Sequence, residues 1–169
     1  MRKIIVVSGL PVTGKSTLAE GLAKKLMLPI FSVDPIESAI IKSGVKRSFK
    51  TGLAAYLVAE TLAAEHLKLD ISVIIDAVSP VKESRDMWYS LSSQHDAQLV
   101  VIECVLDSDL HKKRIEVRVR NMHGIPEVTW EDVENCRKEY LNWEKDRLVL
   151  DTADNVEDNL QKALKYIES

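Results

Sequence analysis

The stretch Lys3-Ile-Ile-Val-Val-Ser-Gly9-Leu-Pro-Val-Thr-Gly14-Lys15-Ser16-Thr17-Leu18 decides how this chain folds. Ile4 to Val7 is continuous and mostly β-branched, the pattern of a strand buried on both faces. From Lys15 to Met27 the period changes. Leu18, Leu22 and Leu26 fall on one stripe, with Glu20, Lys24 and Lys25 off it, which predicts an amphipathic helix. Between strand and helix stand Gly9 and Gly14, then a lysine and two hydroxyls, in the spacing G-x-x-x-x-G-K-[ST]. Such glycines let a loop turn its N–H groups inward with no Cβ in the way. The helix that follows adds its own unpaired N–H groups, so loop and helix end together make a nest for a phosphate chain.

The spacing assigns roles residue by residue. Gly9, Leu10, Pro11, Val12, Thr13 and Gly14 supply the loop that wraps a nucleotide. Lys15 is placed to reach the β- and γ-phosphates, Ser16 to ligate Mg²⁺, and Thr17 to support the α-phosphate. The strand before and the helix after are the context this motif requires.

Outward from the loop, strand and helix patterns alternate. Pro29 to Val33 reads as a short second strand, ending at Asp34-Pro35, where Pro35 suits a first helical turn and Asp34 its N-cap. Gly52 to Leu69 reads as a long helix and Ile71 to Ile75 as a buried strand closed by Asp76. A helix from Val81 to Ser93, a strand from Ala97 to Cys104, a basic helix from Asp109 to Arg120, and a helix from about Thr129 follow. A last strand (Leu148 to Leu150) and a last helix (Asp154 to Ile167) close the chain. Alternation of this kind means an α/β sandwich around a mostly parallel sheet, with ligands at the carboxyl edge of the strands.

Length and composition set bounds. The 169 residues fit one domain, 46% hydrophobic and 29% charged, with a net charge of −3. That balance disfavours long nucleic acid as a partner, although a local basic patch is compatible with it. No run approaches the roughly 18 apolar residues of a membrane span, and the N-terminus lacks signal-peptide form. Cys104 and Cys136 belong to no C-x-x-C pair, as expected of reduced thiols in the cytoplasm.

With these residues in view, the chain resembles the P-loop kinase group of phosphotransferases. Within it, the chain is most similar to the zeta-toxin-like and chloramphenicol-phosphotransferase-like ATPases, a kinase-like "AAA" family. Gly9-Leu-Pro-Val-Thr-Gly-Lys-Ser-Thr17, Asp34 after the second strand, Ile-Ile-Asp76-Ala-Val-Ser and the run Arg114…Arg118-Val-Arg120 carry the resemblance. Trp130-Glu-Asp-Val and Asp146-Arg147-Leu-Val-Leu-Asp151 add to it. It implies a three-layer fold over residues 1–169, with a parallel five-stranded sheet in the order 2-3-1-4-5. It also implies a mobile helical lid, which falls at about 107–127 here. Shikimate kinases share this plan, but Ser32 stands where their second strand carries an acid.

The remaining candidates each have a functional and a structural reading. Asp34 can orient or deprotonate an acceptor hydroxyl, or cap a helix. Asp76 can hold Mg²⁺ through water, bind substrate, or serve a turn. Arg114 and Arg118, four apart on the predicted helix, can face the nucleotide phosphates, with Arg120 beside them, or pair with Glu116 and Asp109. Arg85 can bind an anionic acceptor or pair locally. Lys46, Arg47 and Lys50 form a second basic loop, which can bind a substrate anion or, the preferred reading, stand as solvated surface. The sum is an ATP- and Mg²⁺-dependent kinase acting on a hydroxyl of a small molecule. A nucleotide or polynucleotide-end kinase, and an ATP-dependent binding switch with slow hydrolysis, are the alternatives. The acceptor, the choice of ATP over GTP and the oligomeric state are not written in the motifs.

Overall fold

The structure is a computed structural model that describes residues 1–144 and 146–169. In chain order the elements are β1 (Lys3–Ser8), α1 (Lys15–Leu26), β2 (Ile30–Ser32), α2 (Val33–Lys42), α3 (Phe49–Lys68) and β3 (Val73–Asp76). Then come α4 (Lys82–Gln94), β4 (Gln98–Val105), α5 (Ser108–Val117), α6 (Trp130–Glu139), β5 (Leu148–Asp151) and α7 (Val156–Glu168). The five strands form one sheet in the order β2-β3-β1-β4-β5, every pairing parallel, which is the expected order.

Successive side chains of a strand point to opposite faces, so β1 feeds two cores. Ile4 and Val6 pack with Val73 and Ile75 of β3 against the small residues Ala55, Ala59 and Ala63 of α3, with Trp88 of α4. Ile5 and Val7 pack on the other face with Leu18 and Leu22 of α1 and Leu160 and Ala163 of α7. All four β1 side chains are wholly buried. Burying each contributes about 1.5–3 kcal/mol relative to exposure, which is why this run anchors the fold.

Strand register then places the site. Val7 lies opposite Asp76, and Asp76 lies opposite Ser32. The loop after β1, the end of β3 and the start of α2 therefore emerge together at the carboxyl edge of the sheet. Asp34 and Asp76 reach one edge although the sequence separates them widely.

Most element ends shift by a residue or two from the expectation, and three of the differences bear on the site. The second helix begins at Val33 with Ser32 as its N-cap residue, so Asp34 sits inside the first turn and is not the cap. α3 starts at Phe49 rather than Gly52, because the Ser48 N–H donates to Thr51 Oγ1 at 3.0 Å in a capping box. α5 stops at Val117, leaving Arg118 extended at φ −82°, ψ 129°. Beyond it, Glu127 Oε1 accepts from the N–H groups of Arg120 (2.8 Å) and Asn121 (3.1 Å), which takes those amides out of any helical ladder. Arg114 and Arg118 thus do not share a helix face as their spacing suggested.

Both cysteines are free thiols, and burial pushes the Cys104 thiol up to about 12, which keeps it protonated. Among the described residues, no helix is long and apolar enough to cross a membrane.

Candidate functional site

The loop from Gly9 to Gly14 turns as its glycines permit. Gly9 has φ +141°, and a Cβ there would stand 2.3 Å from the Cys104 carbonyl oxygen of β4. Gly14, the N-cap of α1, has φ +96°. Val12 also lies in the left-handed region, at φ +64°, uncommon for a β-branched residue. α1 has no side-chain cap and no acidic residue in its first turn. Its first N–H groups, which every α-helix leaves unpaired, are open to an anion.

The loop's carbonyls are held away by donors. Leu10 O accepts from Lys15 Nζ at 2.9 Å and from Thr13 Oγ1 at 2.8 Å. Pro11 O accepts from His111 Nε2 at 2.6 Å. Thr13 O accepts from Thr152 Oγ1 at 2.5 Å and from Arg114 at 3.5 Å, and Gly14 O from the Leu18 N–H at 3.2 Å. Lys15 is only 8% exposed. Burial lowers its pKa below the ordinary lysine value, and the nearby Asp76 and Asp34 carboxylates oppose that shift. A bound phosphate chain would act in the same direction as those carboxylates.

A cleft of about 350 Å³ opens over this loop. Pro11, Val12, Gly14, Lys15, Ser16 and Thr17 form its floor. Asp34, Asp76, Arg118 and Arg120 wall it on the β2–β3 side, and Arg114, Thr152, Asp154 and Asn159 on the β5 side. Gly9, Leu10 and Thr13 lie behind the floor and shape it. Arg85 does not line the cleft. It is buried, donates from Nε to Ser79 O at 2.8 Å, and lies against the rings of Tyr140 and Trp143. The rings cover the faces of the guanidinium and leave Nη1 and Nη2 buried without a hydrogen-bond partner among the described residues, and Arg85 stands outside the cleft where the sequence reading places an anion-binding arginine.

The two carboxylates differ. Asp34 pairs with Arg120 at 2.6 Å, with Asp34 half exposed and Arg120 largely covered. Asp76 is 6% exposed, and its carboxylate makes no hydrogen bond or ion pair with the described residues. The Ser16 hydroxyl is likewise without a protein partner. A buried carboxylate and a hydroxyl that line one cleft, neither bonded to another described side chain, are hard oxygen donors of the kind that suits Mg²⁺.

The segment carrying Arg118 and Arg120 returns over α2. The Ser38 hydroxyl donates to His123 O at 2.9 Å, and Gly124, at φ +69°, sits where a Cβ would meet Ile41 Cγ2 at 2.3 Å. Arg114 turns to the opposite wall, donating to Thr152 Oγ1 at 3.1 Å and to the Thr152 carbonyl. Among the basic-loop residues, Lys46, Arg47 and Lys50 are exposed, with Arg47 3.9 Å from Glu37. Arg147 pairs with the buried Glu103. Trp88 and Trp143 are buried in the core, and Trp130 meets the His111 ring edge-on.

Sequence reasoning missed His111 and the side chain of Thr152 as holders of the loop. The one available signal for His111 was its position three before Arg114, which puts both on one face of α5. Nothing in the local sequence pairs Thr152 with Thr13.

Sheet order, phosphate-type loop and flanking carboxylates define the P-loop kinase class. The chain belongs to the AAA_33 family, a P-loop kinase family whose model, described as an AAA domain, matches residues 4–140. It is 28% identical to the bifunctional polynucleotide phosphatase/kinase of Schizosaccharomyces pombe over 131 residues, 76% of this chain and 28% of that one. The chain therefore spans little more than a quarter of that relative. It is 27% identical to the adenylyl-sulfate kinase of Thermodesulfovibrio yellowstonii over 172 residues, 87% of this chain and 86% of that one. A solved structure of a candidate kinase from Chloroflexus aurantiacus J-10-fl superposes with a TM-score of 0.80 at 23% identity, covering 98% of each chain. That last likeness speaks to the fold.

Proposed function

We propose that this protein is an ATP-dependent kinase that moves the γ-phosphate to a hydroxyl of a small molecule in the cytoplasm. One observation carries the reading: a buried lysine and an uncapped helix N-terminus face two carboxylates across a single cleft. Phosphoryl transfer asks for placement and charge compensation more than for covalent chemistry. Lys15 and the amides of the loop and α1 hold the β- and γ-phosphates, with Thr17 toward the α-phosphate. Ser16 and Asp76 are the residues that would hold Mg²⁺, which when bound neutralises charge on the β- and γ-phosphates. Arg114 steadies the nucleotide from the β5 wall, and Arg118 and Arg120 stand over the transferring group.

Asp34 sits where an acceptor would enter. The acceptor oxygen bonds to the γ-phosphorus as the bond to the β–γ bridging oxygen breaks. The hydroxyl proton passes to Asp34, and the bridging oxygen leaves with its electron pair on ADP. Arg120 keeps Asp34 aimed until the acceptor arrives. Residues 107–127 act as the lid, with Gly124 at its return, closing over the cleft to exclude water. Within the family, the Arg114…Arg118-Val-Arg120 run favours kinship with zeta-toxin-like and chloramphenicol-phosphotransferase-like members.

A polynucleotide-end acceptor is the second reading. The exposed Lys46 and Arg47 between α2 and α3, Lys50 in the first turn of α3, and the likeness to a polynucleotide phosphatase/kinase favour it. ADP release measured against a panel of sugars, adenylyl sulfate, nucleosides and 5′-hydroxyl oligonucleotides tests both. Stimulation by a small hydroxyl compound supports the first reading, and stimulation by oligonucleotides alone supports the second. A panel that leaves ADP release unchanged throughout contradicts both.

A further inference from the structure

The loop's inward amides need their carbonyls held outward, and α5 supplies a hold that the kinase reading does not use. His111 is wholly buried, behind the cleft floor and not lining it. Its Nε2 lies 2.6 Å from Pro11 O. A carbonyl only accepts, so Nε2 carries the hydrogen. Nδ1 is buried with no hydrogen-bond partner, so no group stands ready to accept a second proton. The charged side chains felt by the ring are Arg137 of α6, Lys15 of α1 and Arg114 of α5, all cations, and the Trp130 ring meets it edge-on at 5.6 Å. The site is built for a neutral imidazole with one fixed donor.

That donor acts on one peptide plane. In a trans peptide the C=O and the next N–H point opposite ways. Fixing Pro11 O toward α5 therefore turns the Val12 N–H toward the cleft, which Val12 lines. Val12 is also the β-branched residue at φ +64°, a conformation that persists only when its surroundings enforce it. Arg114, one turn further along α5, acts on Thr13 O in the same manner.

We propose that His111 is a positioning residue of the phosphate loop, holding the Pro11 carbonyl outward so that the Val12 N–H is aimed at the phosphate chain. The inference rests on the nucleotide-binding reading above. A residue that merely fills space beneath Trp130 would need shape and not a donor, and this difference is measurable.

Titration calorimetry with Mg·ATP at pH 7.5 compares the wild type with His111→Leu, which removes the donor, and His111→Gln, whose amide nitrogen can stand near Nε2. Melting temperatures are recorded alongside. His111→Leu binds about tenfold more weakly, the usual effect of leaving a buried acceptor without its donor. His111→Gln stays within about threefold of wild type, even where both variants melt at similar temperatures. Long-range ¹H–¹⁵N spectra of the free wild-type protein show the Nε2–H tautomer. Wild-type affinity in His111→Leu, a loss in His111→Gln as large as in His111→Leu, or the Nδ1–H tautomer would each overturn the proposal. Should His111→Leu not fold, His111→Gln and the tautomer decide it, since weak binding by the glutamine variant or the wrong tautomer is fatal. A wild type with no affinity for any nucleoside triphosphate removes the kinase reading and this inference together.

Discussion

The floor of the cleft comes from one stretch of chain, Pro11, Val12 and Gly14 to Leu18, whereas the wall proposed for the acceptor is assembled from Asp34, Asp76 and the Arg118–Arg120 segment, far apart in the chain. The floor is tightly held: Lys15 is 8% exposed and bonded to Leu10 O, and the carbonyls of Pro11 and Thr13 are gripped from α5 and the turn after β5. The acceptor wall is looser. Its main polar contact is the Arg120–Asp34 pair, and Asp34 is half exposed. The difference follows from what each side must recognise. A triphosphate is the same in every enzyme that uses it, so a short local motif with fixed amides suffices. An acceptor differs from enzyme to enzyme, and its site is made from loops free to vary.

Substitutions on the two sides should separate accordingly. Lys15→Ala strikes the floor and is expected to have the largest effect. Phosphoryl transfer falls by about 10³–10⁵-fold, the range for losing a cation that stabilises the transferring group's charge. The fold survives, as unchanged far-UV circular dichroism would show. Asp34→Asn strikes the wall. Turnover with the true acceptor falls by about 10²–10⁴-fold while the Kd for ATP stays near wild type. A matching loss of ATP affinity in Asp34→Asn would erase the distinction between the two sides.

Gly9→Ala tests how rigidly the floor is built. Its Cβ would meet the Cys104 carbonyl at 2.3 Å at a φ of +141°, so the backbone itself must shift. A loss of about 2–4 kcal/mol in urea unfolding is expected. Gly44→Ala, at φ +100° with open space around it, should cost only about 1 kcal/mol. The smallest effect concerns pH. His111 is held neutral, its pKa lowered first by burial, so its contribution to stability is present above its unfolded value near 6.5 and is lost as pH falls. The gap in melting temperature between wild type and His111→Gln should therefore narrow between pH 7.5 and 5. A constant gap would show that the ring gains its proton without penalty, and a widening one that protonation favours the folded state.

The sequence itself carried much of this. The β-branched run Ile4–Val7, followed by the glycine-lysine spacing, was enough to place β1, the loop and α1, because each of those signals is local. Asp34 and Asp76 were legible as the residues that end apolar strands. What was not legible depends on distant chain meeting at one point. No local pattern shows that Arg85 packs against Tyr140 and Trp143 and stands outside the cleft. α5 was drawn out to Arg120 because its charge pattern is helical, whereas Glu127 captures the amides that would continue it. His111 was one of several histidines without a ligand pattern, and only the fold brings it under Pro11.

The central claim is that the loop after β1 clasps a nucleoside triphosphate through its amides and Lys15. Calorimetry of the full chain with ATP, with and without Mg²⁺, alongside Lys15→Ala, tests this most directly. The account predicts saturable binding, strengthened by Mg²⁺ and weakened at least about tenfold in the alanine variant. No heat of binding with ATP or GTP in folded wild-type protein, or equal affinity in Lys15→Ala, would contradict it.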